Sequence, residues 1–206
     1  TAYRQVVIPG DLVTFNDVGS GVVILSNNVG PASMLISNNS KSYTFGGGGN
    51  ISGPSGLLKL GTGTATLNLS NDNYPGSTVI SNGTVQIGNS SAVSPAADIV
   101  IGPSGRLEVN GLAQSAGELT GSGIVSNSSG LDMVLTVGTG NGGTWNGTIQ
   151  DGTHGGVALI KRGSGTWVVG GFNKLANGSP FINTNIFLAG TTIITNGGSI
   201  ISPRLQ

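Results

Sequence analysis

The sequence has no cysteine, few charged residues and no long run of apolar residues. Without cysteine, both a disulfide framework and a thiolate metal site are excluded. Charged residues make up 8% of the chain and the formal net charge is zero, so the blocks of Lys and Arg that nucleic-acid binding requires are missing. The Val, Ile and Leu clusters are too short to cross a bilayer. We therefore expect neither a nucleic-acid partner nor membrane insertion by these residues.

A helical pattern is also missing, because no window of eleven residues keeps apolar residues at helical spacing without an intervening Gly or Pro. Short strand-like segments fill the 206 residues instead, separated by Asn-Gly, Pro-Ser-Gly or Gly-Ser-Gly. Glycine at such corners supplies the positive φ that a sharp turn needs. The sequence therefore predicts an all-β protein without significant helix.

Two of these segments recur at a short period. Residues 82–87 (NGTVQI) match residues 104–109 (SGRLEV) at a spacing of 22, and residues 78–80 match residues 99–101 at 21. One more such period beyond Val109 lies Leu131, which opens an alternating apolar run. About 20–22 residues with two or three short strands is what one coil of a parallel β-solenoid needs. An antiparallel sandwich also fits the frequent turns, but it does not require such a repeat, so we favour the solenoid.

Residues 71–89 can be folded in two ways. Their strand-like segments, 78–80 and 84–87, flank Asn82-Gly83, a common turn of antiparallel hairpins. In a solenoid the same Asn-Gly is a corner between two faces of one coil. The short period favours the corner, which predicts parallel neighbours one period away and no antiparallel ladder between Val79 and Val85.

A longer period is present as well. Residues 57–64 (LLKLGTGT) match residues 159–166 (LIKRGSGT) at an offset of 102, and residues 78–83 return as residues 192–197 at an offset of 114. The difference predicts an inserted loop. We therefore divide a single solenoid over 1–206 into less regular first coils (1–45), regular coils (46–170), an inserted loop (171–191) and a terminal coil (192–206).

The order of these motifs resembles the autotransporter-associated β-strand repeat, a passenger-type β-helix family of bacterial surface and secreted proteins. The matching residues are Lys59, residues 61–64 (GTGT), residues 73–76 (NYPG) and residues 78–88 (TVISNGTVQIG). The second copy departs from this pattern, because Trp167 and Val169 replace leucines. The resemblance implies a right-handed parallel β-helix that is secreted or displayed on the cell surface, commonly as a passenger or stalk, without shared catalytic residues.

Groups that could carry chemistry are few and scattered. The best catalytic constellation is Arg106, Glu108 and Asp132, but a solvated ion pair beside a strand explains it more simply. His154 is the single histidine, with neither a second His nor a Cys to complete a metal site and only Asp151 near it as a partner for a base. Residues 138–143 (GTGNGG) match a dinucleotide-binding pattern, but a strand and turn are predicted after them instead of a helix. We therefore predict no catalytic residue, no metal site and no cofactor.

Recognition is predicted at two places. Aromatic residues beside the insertion could stack on a sugar ring, which gives a ligand-contact region of Phe172, Asn173, Lys174 and Phe181. Strand-like segments near both ends of the chain predict end-to-end assembly through Val6, Val7, Ile8, Ile200 and Ile201. Eight Asn-x-Ser/Thr sequons also allow attached glycans, although a turn-rich composition explains them as well.

The predicted function is structural and non-enzymatic: a stalk, adhesin passenger or self-stacking fibre subunit of the bacterial cell surface or extracellular space. The alternative is a carbohydrate-binding or carbohydrate-cleaving β-helix.

Overall fold

A computed structural model describes residues 10–70, 74–138, 142–151, 155–174, 186–187, 189–195 and 199–201 of the chain. Within these ranges every regular element is a β-strand, and none of the described residues form a helix that could span a membrane. The strands are β1 (Leu12–Asn16), β2 (Val22–Leu25), β3 (Ser33–Ser37), β4 (Tyr43–Gly47), β5 (Leu57–Lys59), β6 (Thr64–Leu67), β7 (Thr78–Ile87), β8 (Ile99–Glu108), β9 (Gln114–Ser115), β10 (Leu119–Gly121), β11 (Ile124–Ser126), β12 (Met133–Val137), β13 (Gly142–Trp145), β14 (Thr148–Gln150), β15 (Val157–Lys161), β16 (Thr166–Val169), β17 (Phe172–Lys174), β18 (Ile186–Phe187), β19 (Thr191–Ile194) and β20 (Ser199–Ile201).

The strands pair in parallel and stack into three faces of a solenoid. The first face runs β1-β3-β5-β7-β8-β10-β13-β16-β19, and the second runs β2-β4-β6-β7-β8-β11-β14-β17-β20. The third face contains β9, β12, β15 and β18. Because β7 and β8 continue around the corner between the first two faces, these faces form one 16-stranded sheet. The predicted parallel β-solenoid is confirmed.

The register gives the length of a coil. Thr78 pairs with Ile99, so the sequence number advances by 21 on the first face, and Gly83 pairs with Gly105, an advance of 22. Both spacings are those of the short sequence period, which is therefore confirmed for this pair of coils. The first face stacks nine described strands, and at about 4.8 Å per step this column is about 38 Å long.

Asn82-Gly83 forms the corner inside β7. Gly83 has a φ of 71°, and its N–H donates to Asn82 Oδ1 at 2.8 Å. The ladder between β7 and β8 shifts its register here, where the chain passes from the first face to the second. Val79 and Val85 each pair in parallel with the next coil and not with each other. The corner interpretation of residues 78–87 is confirmed, and the hairpin is excluded.

Alternate side chains of each strand fill a narrow interior. In β7, Ile80, Val85 and Ile87 are completely buried, and the same alternation recurs in β8 and β12. Trp145 and Trp167 fill the interior of later coils, where the Nε1–H of Trp167 donates to the carbonyl of Leu119 at 3.0 Å. Since each fully buried side chain of this kind contributes about 1.5–3 kcal/mol, interior stacking is the main source of stability.

Leu131 does not continue the short period as the sequence predicts. It is 67% exposed, and the buried run that follows it forms β12 on the third face. The second face continues instead through β11, where Ser126 pairs with Glu108 after a sequence step of only 18. The coils therefore differ in length, and counting by a fixed period of 22 reaches the wrong face at this point.

The two copies of the long sequence period fold into similar local structures, but these lie on different faces of the solenoid. Lys59 is the last residue of β5 on the first face, whereas its counterpart Lys161 ends β15 on the third face. Both lysines are fully buried, and both donate to carbonyls of the glycine-rich corner that follows them. The sequence repeat therefore marks a strand-corner-strand unit and not a fixed position in the coil.

The predicted inserted loop, 171–191, lies partly outside the described residues. Strands β17 and β18 and the start of β19 fall within its bounds, and they pair with β14, β15 and β16. These paired strands leave residues 175–185 and 188 as the part of the loop that the structure does not describe. The division of the chain into first, regular and terminal coils stays a prediction.

Candidate functional site

Polar side chains form a column along the outer surface of the second face. The register places Thr66, Gln86, Glu108, Ser126 and Gln150 side by side in successive coils. Along the last three residues of this column lies a shallow cleft of about 390 Å³, lined mainly by charged and amide side chains. A concave surface with several hydrogen-bonding groups can hold a polar ligand, so this cleft is the candidate site.

Ser126 links Arg106 to Glu108 in the cleft. Nη1 of Arg106 donates to Oγ of Ser126 at 2.9 Å, and this hydroxyl donates to Oε2 of Glu108 at 2.7 Å. Glu108 also accepts the backbone N–H groups of Asn110 at 3.1 Å and Ser128 at 2.7 Å. With 7% of its surface exposed, the carboxylate is fixed between two coils, which leaves the Arg106 guanidinium as the charged group that faces outward.

Asp132, the third member of the predicted constellation, lies elsewhere. It directly precedes β12 on the third face, and its Oδ1 accepts the N–H of Gly156 at 2.7 Å. Gln150 and Asp151 complete the cleft in its place, and Oδ1 of Asp151 accepts the N–H of Val157 at 2.8 Å. Glu108 pairs with Ser126, only 18 residues later. Asp132, 24 residues after Glu108, therefore lies beyond the corner that ends the second face of that coil.

The acidic side chains share one role that the sequence did not reveal. Oδ1 of Asp98 accepts the N–H of Glu118, 20 residues on, at 2.9 Å, and Oε1 of Glu118 accepts the N–H of Gly142, 24 residues on, at 2.6 Å. Glu108 and Asp132 bind the following coil in the same way. The donor is a backbone N–H group, which almost every residue type supplies, so the identity of the donor residue gives no signal. The only signal in the sequence is that each acid stands about one coil length before a corner.

Asp17 is the acid with the most backbone donors. Its Oδ1 accepts the N–H groups of Asn39 at 2.9 Å, Ser40 at 3.0 Å and Lys41 at 3.0 Å, all in the next coil. The N–H of Lys41 contributes most to lowering the pKa of Asp17 to about 2; partial burial opposes this, and Asn39 and Ser40 add to it. Successive N–H groups that converge on one carboxylate stabilise its charged form and fix the corner.

Lys59 lies in the interior, where its amine donates hydrogen bonds to carbonyl groups at corners of the chain. Nζ donates to the carbonyls of Gly61 and of Asn82, the latter at 3.4 Å. Loss of hydration on burial lowers the pKa of Lys59 to about 8, and the negative charge of Asp17 opposes this shift. A lysine with a lowered pKa has more of its neutral, nucleophilic form at neutral pH, but this side chain is fully buried and its amine is hydrogen-bonded to the corner.

The predicted ligand-contact region is corrected at Asn173. This side chain is 1% exposed, and its Oδ1 accepts the Nε1–H of Trp145 at 3.0 Å and the N–H of Ile149 at 2.9 Å. Asn173 therefore satisfies buried donors of the preceding coil and does not face a ligand. Phe172 and Lys174 belong to the same strand, β17, and Phe181 lies outside the described residues.

The residues predicted for end-to-end assembly lie at the two ends of the chain. Val6, Val7 and Ile8 are outside the described residues. Ile200 and Ile201 are in β20, where they pair in parallel with Asn173 and Lys174 of β17. Within the described residues β20 is the last strand of the second-face ladder.

The interior is accessible at the first described coil. A cavity of about 420 Å³ is lined there by the inward side chains of β1 and β2 and by an aromatic cluster. The ring of Phe15 packs edge-on against Tyr43 at 5.5 Å and against Phe45 at 4.9 Å between centroids. Phe15 is half-buried, whereas Ile36, its neighbour in the next coil, is completely buried. This end therefore presents apolar interior surface that the described residues leave uncovered.

The sequons differ in their access to solvent. Asn38 and Asn127 are completely buried, and the Nδ2 atoms of both donate to backbone carbonyls. Asn68 and Asn146 are exposed. Only an exposed amide can carry a glycan on the folded protein, so the buried pair is removed from the set of acceptor positions.

Neither metal nor dinucleotide chemistry gains support from the described residues. No group of three His, Asp or Glu side chains among them could hold a metal ion, and His154 lies outside the described ranges. Gly138 follows β12 with a φ of 82°, and strand β13 begins at Gly142. A strand and not a helix therefore follows the glycine-rich stretch, so the described residues beside it offer no helix N-terminus for a pyrophosphate.

Comparison with known proteins gives one informative similarity. Over 157 residues, or 75% of its length, the chain is 30% identical to part of the adhesin BmaC autotransporter of Brucella suis biovar 1 (strain 1330). The chain corresponds to only 4% of the length of that protein. No family model and no solved structure matches the chain. The similarity and the parallel solenoid both fit a β-helix of the autotransporter type.

Proposed function

We propose that this chain is a segment of a non-enzymatic structural protein of the bacterial cell surface or extracellular space, with the role of a stalk or adhesin-type passenger. The observation that carries the proposal is that the few charged side chains form hydrogen bonds to the backbone of the solenoid itself. Asp17, Asp98, Glu118 and Asp132 bind backbone N–H groups of the next coil, and Lys59 binds corner carbonyls. Side chains used in this way stabilise a rod instead of converging on a substrate. The similarity to an autotransporter adhesin supports the proposed location.

Surface display tests this role. The whole chain would be displayed on a non-adherent bacterium with a peptide tag at its outer end, and attachment to host cells and access of an antibody to the tag would be measured. Tag exposure identifies a stalk, and attachment in addition identifies an adhesin. Turnover of a polysaccharide by the purified chain would contradict the non-enzymatic role.

End-to-end stacking of chains is the proposed form of self-association. Two features of the described residues support it: Val13, Phe15 and Val23 are half-buried in the first described coil, and β20 is the last strand of the described second-face ladder. Head-to-tail contacts of this kind do not close and therefore produce fibres. Electron micrographs should show filaments with an axial repeat of roughly 4 nm, the height of nine stacked strands. Short single rods at every concentration would contradict stacking.

Carbohydrate binding in the cleft of the second face is the second candidate. Arg106, Gln150 and Asp151 line this cleft, and such side chains commonly bind sugar hydroxyl and carboxyl groups. Retention of the protein on immobilised polysaccharide, lost in an Arg106→Ala/Gln150→Ala variant, would support it. A Thr44→Ala/Thr66→Ala variant, altered on the same outer face in earlier coils, is the control. Equal retention of both variants would reject the cleft.

A further inference from the structure

An apolar column runs along the outside of the first face. The register brings one outward side chain of each coil into line, and in four consecutive coils these are Leu35, Leu58, Val79 and Val100. Leu58 is 36% exposed, and the other three are half-buried. Outward positions of a solvated sheet normally carry polar residues, as they do in the column from Thr66 to Gln150 on the second face of this chain. The column is thus an unpartnered apolar surface.

The line of outward positions extends beyond these four coils. Thr14 precedes Leu35 in register, Thr120 and Thr144 follow Val100, and Val168 and Ile193 continue the line at the far end. The nine positions, six of them apolar and three threonine, are joined by eight steps of about 4.8 Å and span about 38 Å. Leu12 and Leu60, which are 79% and 40% exposed, widen the apolar surface in the first coils.

Charge is absent from this surface. In the nine described strands of the first face, taking β7 and β8 only up to the corner, Lys59 is the single ionisable group, and it is turned into the interior. Asp98 and Glu118 lie at the edge, where each accepts a backbone N–H of the next coil. The outer second face, by contrast, carries Arg106 and Glu108 in the part of β8 beyond the corner. Two copies of the first face could therefore meet through their uncharged strands while the exposed Asp98 carboxylate stays in solvent at the edge.

We propose that the first face is a lateral interface, on which a second copy of this chain packs face to face. Two sheets that pack in this way lie about 10 Å apart, and a two-fold axis through the middle of the column brings identical columns together. A strand of four or five residues is about 15 Å long, so the footprint is roughly 600 Å² on each copy. The total of about 1,200 Å² is at the lower end for specific interfaces, which predicts reversible association.

The charges beside the column favour a second copy over an anionic membrane. Surfaces that bind anionic lipid combine an apolar face with flanking Lys or Arg. In the first-face strands that the structure describes the single basic residue, Lys59, is buried, and the groups at the edge, Asp98 and Glu118, are acidic. The proposal does not depend on end-to-end stacking, because the two contacts use different surfaces of the rod.

Charge substitutions test the interface. Leu58→Lys/Val79→Lys places two charges on adjacent coils of the column, and Thr66→Lys/Gln86→Lys places the same two charges on adjacent coils of the second face. Sedimentation equilibrium from about 1 to 500 µM should show a reversible dimer of the unsubstituted chain, whose Kd rises at least about 10-fold in the first variant and stays within about 3-fold in the second. A monomer at all concentrations, or equal effects of the two variants, would overturn the proposal.

A cross-link separates this contact from end-to-end stacking. The chain has no cysteine, so Val100→Cys introduces a single thiol at the middle of the column. Mild oxidation should link two copies of this variant covalently, whereas Gln86→Cys on the second face should stay largely monomeric. If Val100→Cys fails to cross-link while the protein still self-associates, lateral packing is rejected and end-to-end stacking is not.

Discussion

Replacing Gly83 with alanine should destabilise the corner between the first and second faces. An alanine at a φ of 71° costs about 1–2 kcal/mol, because its Cβ crowds its own backbone. That Cβ would also lie 2.3 Å from the carbonyl oxygen of Gly61 and 2.6 Å from that of Gly63 in the preceding coil. The carbonyl of Gly61 accepts the Lys59 amine and that of Gly63 accepts the N–H of Thr84, so neither can move away without breaking a hydrogen bond. We expect a total loss of about 3 kcal/mol in the free energy of unfolding.

Thermal unfolding with a matched control measures this loss. A domain of this size loses roughly 2–4 °C of Tm per kcal/mol, so Gly83→Ala should lower the Tm by about 6–12 °C. Gly48→Ala is the control, because a Cβ at Gly48 contacts nothing within 4 Å. It should change stability by less than about 0.5 kcal/mol. Hydrogen exchange in Gly83→Ala should accelerate first at residues 61–64 and 82–85. If the two variants were equally stable, the corner geometry described above would be wrong.

Three further predictions concern buried or hydrogen-bonded polar groups. The folded-state pKa of Asp17, about 2, lies below the ordinary value of 3.8, so the stability advantage over Asp17→Asn should be present above pH 3.8 and disappear as the pH falls towards 2 in acid-unfolding curves. Folding lowers the pKa of Lys59 from 10.5 to about 8, so between these pH values the folded state binds fewer protons than the unfolded state. The stability of the protein relative to Lys59→Met should therefore rise from pH 8 to pH 10.5. A stability difference that does not change with pH would contradict the burial of Lys59. Asn173→Leu should lower the free energy of unfolding, measured in urea, by about 2–4 kcal/mol, because it leaves the buried N–H groups of Trp145 and Ile149 without their acceptor. A loss below about 1 kcal/mol would contradict this role of Asn173.

The stacking of coils could be predicted from the sequence wherever a coil keeps its length. Residues 78–87 and 99–108 have nearly the same length and the same apolar alternation, so their similarity directly indicated the parallel register. Leu131 shows where this fails. The coil after Glu108 is shorter, and the sequence period carries no information about which corner lost residues.

The roles of individual polar residues were harder to predict. Asn173 follows an aromatic residue near an expected loop, a pattern that suggested surface exposure. It faces inward because Trp145 and Ile149 bring two N–H donors into the interior, and this need is visible only once three coils are stacked. Asp17, Asp98, Glu108, Glu118 and Asp132 are similar, since each binds a backbone group one coil away. Sequence patterns report which side chains are apolar, but they do not report which backbone donors lack a partner.

The most direct test of the parallel solenoid is a set of proton–proton distances across the first corner. In isotope-labelled protein, nuclear Overhauser effects should connect the backbone protons of Val79 with those of Val100, and those of Val85 with those of Leu107, as parallel neighbours in successive coils. No such effects should connect Val79 with Val85. A ladder of effects between Val79 and Val85 would instead show an antiparallel hairpin, and the account of stacked coils would be wrong.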